Sequence, residues 1–242
     1  MIGIIGYGVI GKTTHQALFP FENIKIHDIT MQTEISNLFG CEMVFVCIPT
    51  NCNADFFEIR NIIELFTDKS PETEVIIRST VIPGFFNRLK GNLTYLPEFL
   101  RERHAIDDAT NSKILLYSTN LEKSKLYNYD EFNSKLKKLK FSELEILKLM
   151  SNNYYAMKVV FANHYYDLCK KYNAEYDIVL DSFYKTKNGQ SYMDVNENLR
   201  GYGGKCLPKD IDFAMNIFDD SKLFESIKID NQKWKTTLRT DI

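Results

Sequence analysis

Met1-Ile2-Gly3-Ile4-Ile5-Gly6-Tyr7-Gly8-Val9-Ile10-Gly11 opens the chain. Its first five residues read as a buried strand that runs directly into a Gly-x-Gly-x-x-Gly turn. In that pattern the first glycine makes the tight turn, the second lets a pyrophosphate approach the backbone, and the third packs the next helix on the strand. An acidic residue is then expected about 20 positions on, at the end of a second strand. Ile24-Lys25-Ile26-His27-Asp28 supplies it, slightly early. A glycine pattern alone is also compatible with a purely structural turn. Strand, spacing and acid together favour a dinucleotide site made by Gly6, Tyr7, Gly8, Val9, Ile10, Gly11 and Asp28. Asp28 would accept from adenosine ribose hydroxyls and repel a 2′-phosphate, so NAD is favoured over NADP. The stretch from Gly11 to Asp28 is short, leaving the first helix few turns before Phe19-Pro20.

Downstream, apolar runs at Val44 to Ile48, Val75 to Ile77 and Ile114 to Leu116 are separated by helical patterns such as Ala54 to Phe66. This alternation predicts an α/β, Rossmann-like, doubly wound and mostly parallel sheet with helices on both faces. Ligands of such sheets gather at the strand C-termini. Three turns fall there: Pro49-Thr50, Ser79-Thr80-Val81-Ile82-Pro83-Gly84, and Tyr95-Leu96-Pro97-Glu98-Phe99-Leu100-Arg101-Glu102. From Ser142 the pattern changes to one long helix, Glu143 to Tyr172, without glycine or proline. Its tyrosines suit either a second copy of the chain or the core of one chain. Lys148 and Asn152 are four apart and share a helical face. A smaller all-α domain is predicted after the long helix.

The 242 residues are 44% hydrophobic and 26% charged, with a formal net charge of −2. That balance gives no field for nucleic acid or an anionic membrane, and Lys135 to Lys140 reads as a solvated face. No apolar stretch approaches the roughly 20 residues a bilayer span needs. With the first strand at Met1 there is no room for a signal peptide, and a cytoplasmic location is expected. Cysteines at 41, 47, 52, 169 and 206 lack metal-type pairing and are expected reduced, and the four histidines show no ligand spacing. No metal site is expected.

Near the other end, Gly201-Tyr202-Gly203-Gly204-Lys205-Cys206-Leu207-Pro208-Lys209-Asp210 sets a cysteine between a glycine turn and a proline that can open a helix. A helix N-terminus flanked by Lys205 and Lys209 would favour thiolate over thiol. A glycine loop with an inert cysteine is the competing reading.

Taken in order, these motifs resemble those of the nucleotide-sugar dehydrogenases, the UDP-glucose and GDP-mannose dehydrogenases, over almost the whole chain. The resemblance implies oxidation of a sugar's terminal CH2OH to a carboxylate by two hydride transfers, UDP-glucose to UDP-glucuronate being the default pair. It implies that Cys206 traps the intermediate aldehyde as a thiohemiacetal and then a thioester. Lys148 and Asn152 would stabilise the oxyanion, and Asp210, Thr80 and Glu102 would position and deprotonate water. Glu98 would share the base work, on one helical face with Glu102 if their segment is helical. Pro49, Thr50, Ser79, Thr80, Val81, Glu102 and Lys209 are implied at the NAD site. Glu98, Phe99, Leu100, Arg101, Lys148, Asn152, Gln190, Tyr202 and Gly203 are implied at the nucleotide sugar, along which Glu197 to Gly203 would lie.

The implied organisation is an NAD-binding domain over 1–141 and a central helical domain over 142–242 for catalysis and dimerisation through the 143–172 helix. The family's further C-terminal nucleotide-binding domain is expected to be absent, since the sequence stops at Ile242. Gln190 stands where many members carry an arginine, and Leu199 replaces a common glycine. Three other readings stay open: a hydroxy-acid-type NAD dehydrogenase that ignores Cys206, a non-catalytic binding subunit, and a fragment of a longer gene product.

Overall fold

The computed structural model describes residues 1–19, 23–187, 195–217, 222–234 and 238–239. The chain divides into two compact units, Met1–Lys148 and Leu149–Ile242.

The first unit is built on a seven-stranded sheet, in the order β2-β1-β3-β4-β5-β6-β7. Its strands are β1 (Ile2–Ile5), β2 (Ile24–His27), β3 (Met43–Val46), β4 (Glu74–Ile77), β5 (Leu93–Tyr95), β6 (Leu115–Thr119) and β7 (Leu136–Lys138). All neighbours pair in parallel except β5 and β6. β1, β3 and β4 are buried along their whole length. This is why they read as unbroken apolar runs rather than alternating ones. The chain leaves β1 toward β2 and returns to β3 on the other side of β1, which makes the gap between β1 and β3 the topological switch point.

One face of this sheet carries Ile2, Ile4, Met43, Phe45, Ile76 and Leu96, packed with Leu18, Phe19 and Ala109. Leu18 and Phe19 come from the wider π-helical turn Thr14–Leu18 that continues α1 (Val9–Thr13) and from its end, and Ala109 from α3 (Ala105–Thr110). Phe19 meets Tyr129 and Phe132 edge-on, at 5.0 and 5.3 Å, beside the short α4 (Asp130–Asn133). α2 (Asn53–Lys69) buries Phe56, Ile59, Ile62, Ile63 and Phe66, the three- and four-residue spacing of an amphipathic helix. Asp55 caps it by accepting from the Cys52 amide at 3.0 Å. At the opposite end of the sheet the fully buried Glu74 accepts from Thr94 Oγ1, Ser124 Oγ and the Lys125 amide at 2.5 to 2.7 Å. These donors compensate the desolvation of its carboxylate. The lysine run read as a solvated face forms edge strand β7, whose Lys137 and Lys138 are exposed. Lysines there discourage further strand pairing.

The long α5 (Phe141–Lys171) begins in the first unit and continues through the second. It ends where Asn173 enters the left-handed region at φ 53 and the Ala174 amide reaches back to the Cys169 carbonyl at 2.9 Å. In the second unit α6 (Tyr176–Lys187), α7 (Cys206–Ile217) and α8 (Lys222–Asn231) follow. A two-residue pairing of β8 (Gly201–Tyr202) with β9 (Leu238–Arg239) accompanies them. Ala156, Val159 and Val160 of α5 pack with Tyr202, Leu207, Ile211, Ile227 and Trp234. Ala162 and Cys169 pack with Tyr176, Leu180 and Val195.

Candidate active site

The glycine turn has the form a dinucleotide requires. Gly6 sits at φ 86, and a Cβ there would lie 2.8 Å from the Cys47 carbonyl oxygen. A Cβ on Gly11 would fall 2.0 Å from the Gly6 carbonyl oxygen, so only glycine lets α1 pack this close to the turn. A Cβ on Gly8 would meet nothing within 4 Å, leaving open space over the backbone where the helix begins. Asp28, just beyond β2, accepts from the Tyr7 amide at 2.6 Å and from the Thr30 amide and hydroxyl at 2.9 and 2.7 Å. The Tyr7 amide, followed by Thr30, holds its carboxyl below the ordinary aspartate value, so the acid at this rim is ionised. Tyr7 also pairs its hydroxyl with His15 Nδ1 at 2.7 Å. These residues fit a bound NAD: a cradle closed to side chains, an open approach at Gly8, and a charged acid one strand away.

The neighbouring strand ends are tied to each other. Ser79 donates to the Ile48 carbonyl at 2.6 Å, fixing the end of β4 against the turn after β3. Thr50, Thr80 and Val81 are buried while Pro49 is exposed. Gly84 and Phe86 give their amides to the buried Glu145 carboxylate of α5 at 2.8 and 3.2 Å, which anchors the Ser79 to Gly84 turn.

After β5 the segment Pro97 to Arg101 is not helical; a short 3-10 turn starts only at Glu102. Glu98 and Glu102 therefore do not share a helical face. Glu98 is buried, whereas Glu102 is half-exposed. Glu98 accepts from Lys148 Nζ at 3.1 Å and from the Leu100 amide at 2.8 Å. Lys148 is 2% exposed and lies 5.3 Å from the centre of the Phe99 ring. Burial works to raise the Glu98 carboxyl, but the Lys148 charge, the Leu100 amide and Arg78 outweigh it and hold the group below the usual glutamate value. Leu100 packs against the core cluster, and Arg101 is turned to Asp108 through its Nε and Nη2 at 3.0 and 2.7 Å.

In the second unit Cys206 is the first residue of α7, half-buried, with Gly204 at φ 69 before it. Pro208 occupies the third position of the helix, still within the turn whose amides lack intrahelical partners. Asp210 is fully buried. One of its oxygens accepts from Asn152 Nδ2 of α5, and the other from Lys209 Nζ at 2.5 Å. Lys148 and Asn152, one turn apart on α5, thus each meet a different carboxylate. Lys205 is exposed, and Lys209 directs its charge to Asp210. Tyr202 places its ring in the core, and its amide and carbonyl both bond the Asn231 side chain at 2.8 Å. Gly203 is buried beside it. Gln190 lies outside the described residues.

Sequence reasoning missed two cations. Arg200 holds the loop before Cys206 to α5 through Asn163 Oδ1 and Asp167 Oδ1, each at 2.7 Å, and lies over the Trp234 ring at 5.2 Å. Arg78, immediately after β4, is 3% exposed. A lone cation ending the apolar run Val75-Ile76-Ile77 was its only sequence signal. Burial also pushes the half-buried Cys47 thiol beside it up to about 11. Among the described residues no group of three His, Cys, Asp or Glu is placed to hold a metal, and no helix is long and apolar enough to cross a membrane.

Residues 142–232 match the family model for the UDP-glucose/GDP-mannose dehydrogenase family, central domain. A UDP-glucose 6-dehydrogenase of Campylobacter jejuni is 29% identical over 210 residues, covering 78% of this chain and 53% of the relative. The chain thus spans about half the length of the curated relatives it matches. In fold it resembles a UDP-glucose dehydrogenase of Pyrobaculum islandicum, with a TM-score of 0.76 at 18% identity over 96% of this chain and 67% of that one. A 3-hydroxyisobutyrate dehydrogenase of Mycobacterium tuberculosis shares the fold, with a TM-score of 0.72 at 13% identity over 99% of this chain and 95% of that one. Residues 142–232 thus match the central domain of the UDP-glucose/GDP-mannose dehydrogenase family, and the chain as a whole is similar to UDP-glucose 6-dehydrogenases over about half of their length.

Proposed function

We propose that this chain oxidises the terminal CH2OH of a nucleotide sugar to a carboxylate with NAD, UDP-glucose to UDP-glucuronate being the default pair. The observation that carries this reading is the buried chain Asn152–Asp210–Lys209 in the first turns of the helix that Cys206 opens. It sets an ionisable acid one turn from the thiol on α7, with a fixed amide donor reaching that acid from α5. When bound, NAD accepts a hydride in each of the two oxidations; Gly6 to Gly11, Asp28, Pro49, Thr50, Ser79, Thr80, Val81, Glu102 and Lys209 are the residues assigned to hold it.

In this reading Cys206 Sγ adds to the carbonyl carbon of the intermediate aldehyde and retains it as a thiohemiacetal. Loss of hydride and of the hydroxyl proton leaves a thioester. Water then adds to that carbonyl, the C–S bond breaks, and the thiol returns with release of the acid. Lys148 and Asn152 donate to the oxyanion that forms at each addition. Asp210, with Thr80, Glu98 and Glu102, takes the proton from water. Phe99, Leu100, Arg101, Gln190, Tyr202 and Gly203 are assigned to the substrate.

The decisive measurement is NADH formed per UDP-glucose consumed by the purified chain in excess NAD, with two expected. One NADH and no acid would instead point to a single oxidation of the hydroxy-acid type. None, with NAD bound, would point to a binding subunit.

We also propose a homodimer through the 143–172 helix, with residues 1–141 as the cofactor domain and 142–242 as the catalytic one. Met150, Tyr154, Met157, Phe161, Tyr165 and Leu168 form an exposed stripe on α5, which Tyr172 continues just past its end. Substituting Phe161→Glu is expected to halve the mass seen by light scattering; a wild-type monomer would sink the dimer.

A further inference from the structure

Side chains two apart on a strand share a sheet face. Phe45 and Ile76 face the cluster that includes Leu18 and Phe19, so Cys47 and Arg78, the next residues of that phase just past the ends of β3 and β4, stand on the same face at the C-terminal rim. The ladder continues this far: the Arg78 amide bonds the Val46 carbonyl, and the Leu96 amide bonds the Ile77 carbonyl, both at 2.9 Å. Arg78 is thereby set between the end of β3 and the end of β5, which lies three residues before Glu98. Its side chain is 3% exposed, and its Nε is without a hydrogen-bond partner. A buried guanidinium so poorly satisfied is expensive, and an apolar residue would fill the place at less cost to the fold. The Glu98 oxygens accept from Lys148 and from the Leu100 amide, and Arg78 adds a through-space attraction weaker than either. The charged or titratable groups around the pair are Lys148 from α5 and Cys47 from the turn after β3.

We propose that Arg78 is a positioning residue, whose charge keeps Glu98 in the carboxylate form that grips Lys148. The proposal deepens the oxidation described above and rests on Glu98 and Lys148 serving it. With Arg78 present the buried set of Arg78, Lys148 and Glu98 holds one excess positive charge. Proton uptake by Glu98 is opposed from two sides. Remove the guanidinium and the carboxyl keeps its desolvation but loses one of its counter-charges.

The test is a carbon NMR titration of the full chain carrying carboxyl-labelled glutamate, with the Glu98 signal assigned by its loss in Glu98→Gln. Arg78→Met is expected to raise the Glu98 midpoint by about one pH unit, while Arg78→Lys, which keeps the charge, stays near wild type. The acid limb of kcat/KM for sugar oxidation should move with it. An unmoved midpoint in a variant whose near-UV circular dichroism remains native would overturn the proposal and leave Arg78 a packing residue. Should the methionine variant not fold, Arg78→Gln is read in the same way. The titration needs no turnover, so it stands apart from any failure of the proposed oxidation.

Discussion

Cys206→Ala is expected to lower carboxylate production by roughly three or more orders of magnitude, the scale on which loss of a covalent nucleophile acts. In the proposed mechanism the first oxidation does not involve the thiol, so a burst of NADH with release of aldehyde should survive. The helix position makes this a clean experiment. Cys206 is half-buried at the first residue of α7, and alanine is well tolerated in a helix. Melting temperature should therefore stay within a degree or two of wild type while the second oxidation disappears. Mass spectrometry of quenched turnover adds the positive arm: wild type should show a sugar-nucleotide adduct on the Cys206 peptide, and the alanine variant none. Undiminished acid formation by Cys206→Ala would end the thioester mechanism.

Lys148→Met should damage both stability and activity, and pH separates the two. In the wild type the Glu98 carboxyl is lowered below its unfolded value. The stabilisation this brings is present above the unfolded glutamate pKa of about 4.3 and is lost as pH falls through the folded value. Without the ammonium, burial is the largest single influence left on Glu98, opposed by the Leu100 amide and, more weakly, by Arg78, and the carboxyl is expected to rise. The sign then reverses: at neutral pH the variant holds a buried, poorly compensated carboxylate and should lose about 3 kcal/mol. Acidification toward the raised pKa should recover part of it. Urea denaturation at pH 7.5 and 5.0 reads this directly. Adding Glu98→Gln to Lys148→Met should restore stability at neutral pH without restoring turnover. A Lys148→Met variant equally stable at both pH values would show that the pair contributes nothing to the fold.

The sheet was legible because its central strands are buried on both faces, so Ile2 to Ile5 and Met43 to Val46 carry an apolar signal without competing alternation. β5 and β7 carry weaker marks, being three residues each, one with Thr94 inward on Glu74 and the other laced with lysine. The glycine turn could be read residue by residue because each position answers to a local steric demand. Glu145, Arg78 and Arg200 could not, since their roles depend on partners 59 to 61, 20 and 33 to 37 residues away. Nothing in the identity of a charged residue tells which distant backbone it will meet. The segment around Glu98 shows the converse: a four-residue spacing suggested a helix, but Pro97 disfavours helix in the residue before it, and the Leu100 amide spends its hydrogen bond on the Glu98 side chain.

The exposed apolar residues of α5 advance by four, three and four residues from Met150 to Phe161, then by the same steps to Tyr172, one residue past the helix. That is an eleven-residue period, about 3.67 residues per turn, slightly longer than the period of a straight helix. A seam of this kind drifts slowly to the right around the rod, whereas a seven-residue period drifts left. Two such helices laid side by side would stay in register with almost no supercoil. Inserting or deleting a single residue between Met157 and Phe161 would rotate the two halves of the seam by about 100° and split one long contact into two short ones.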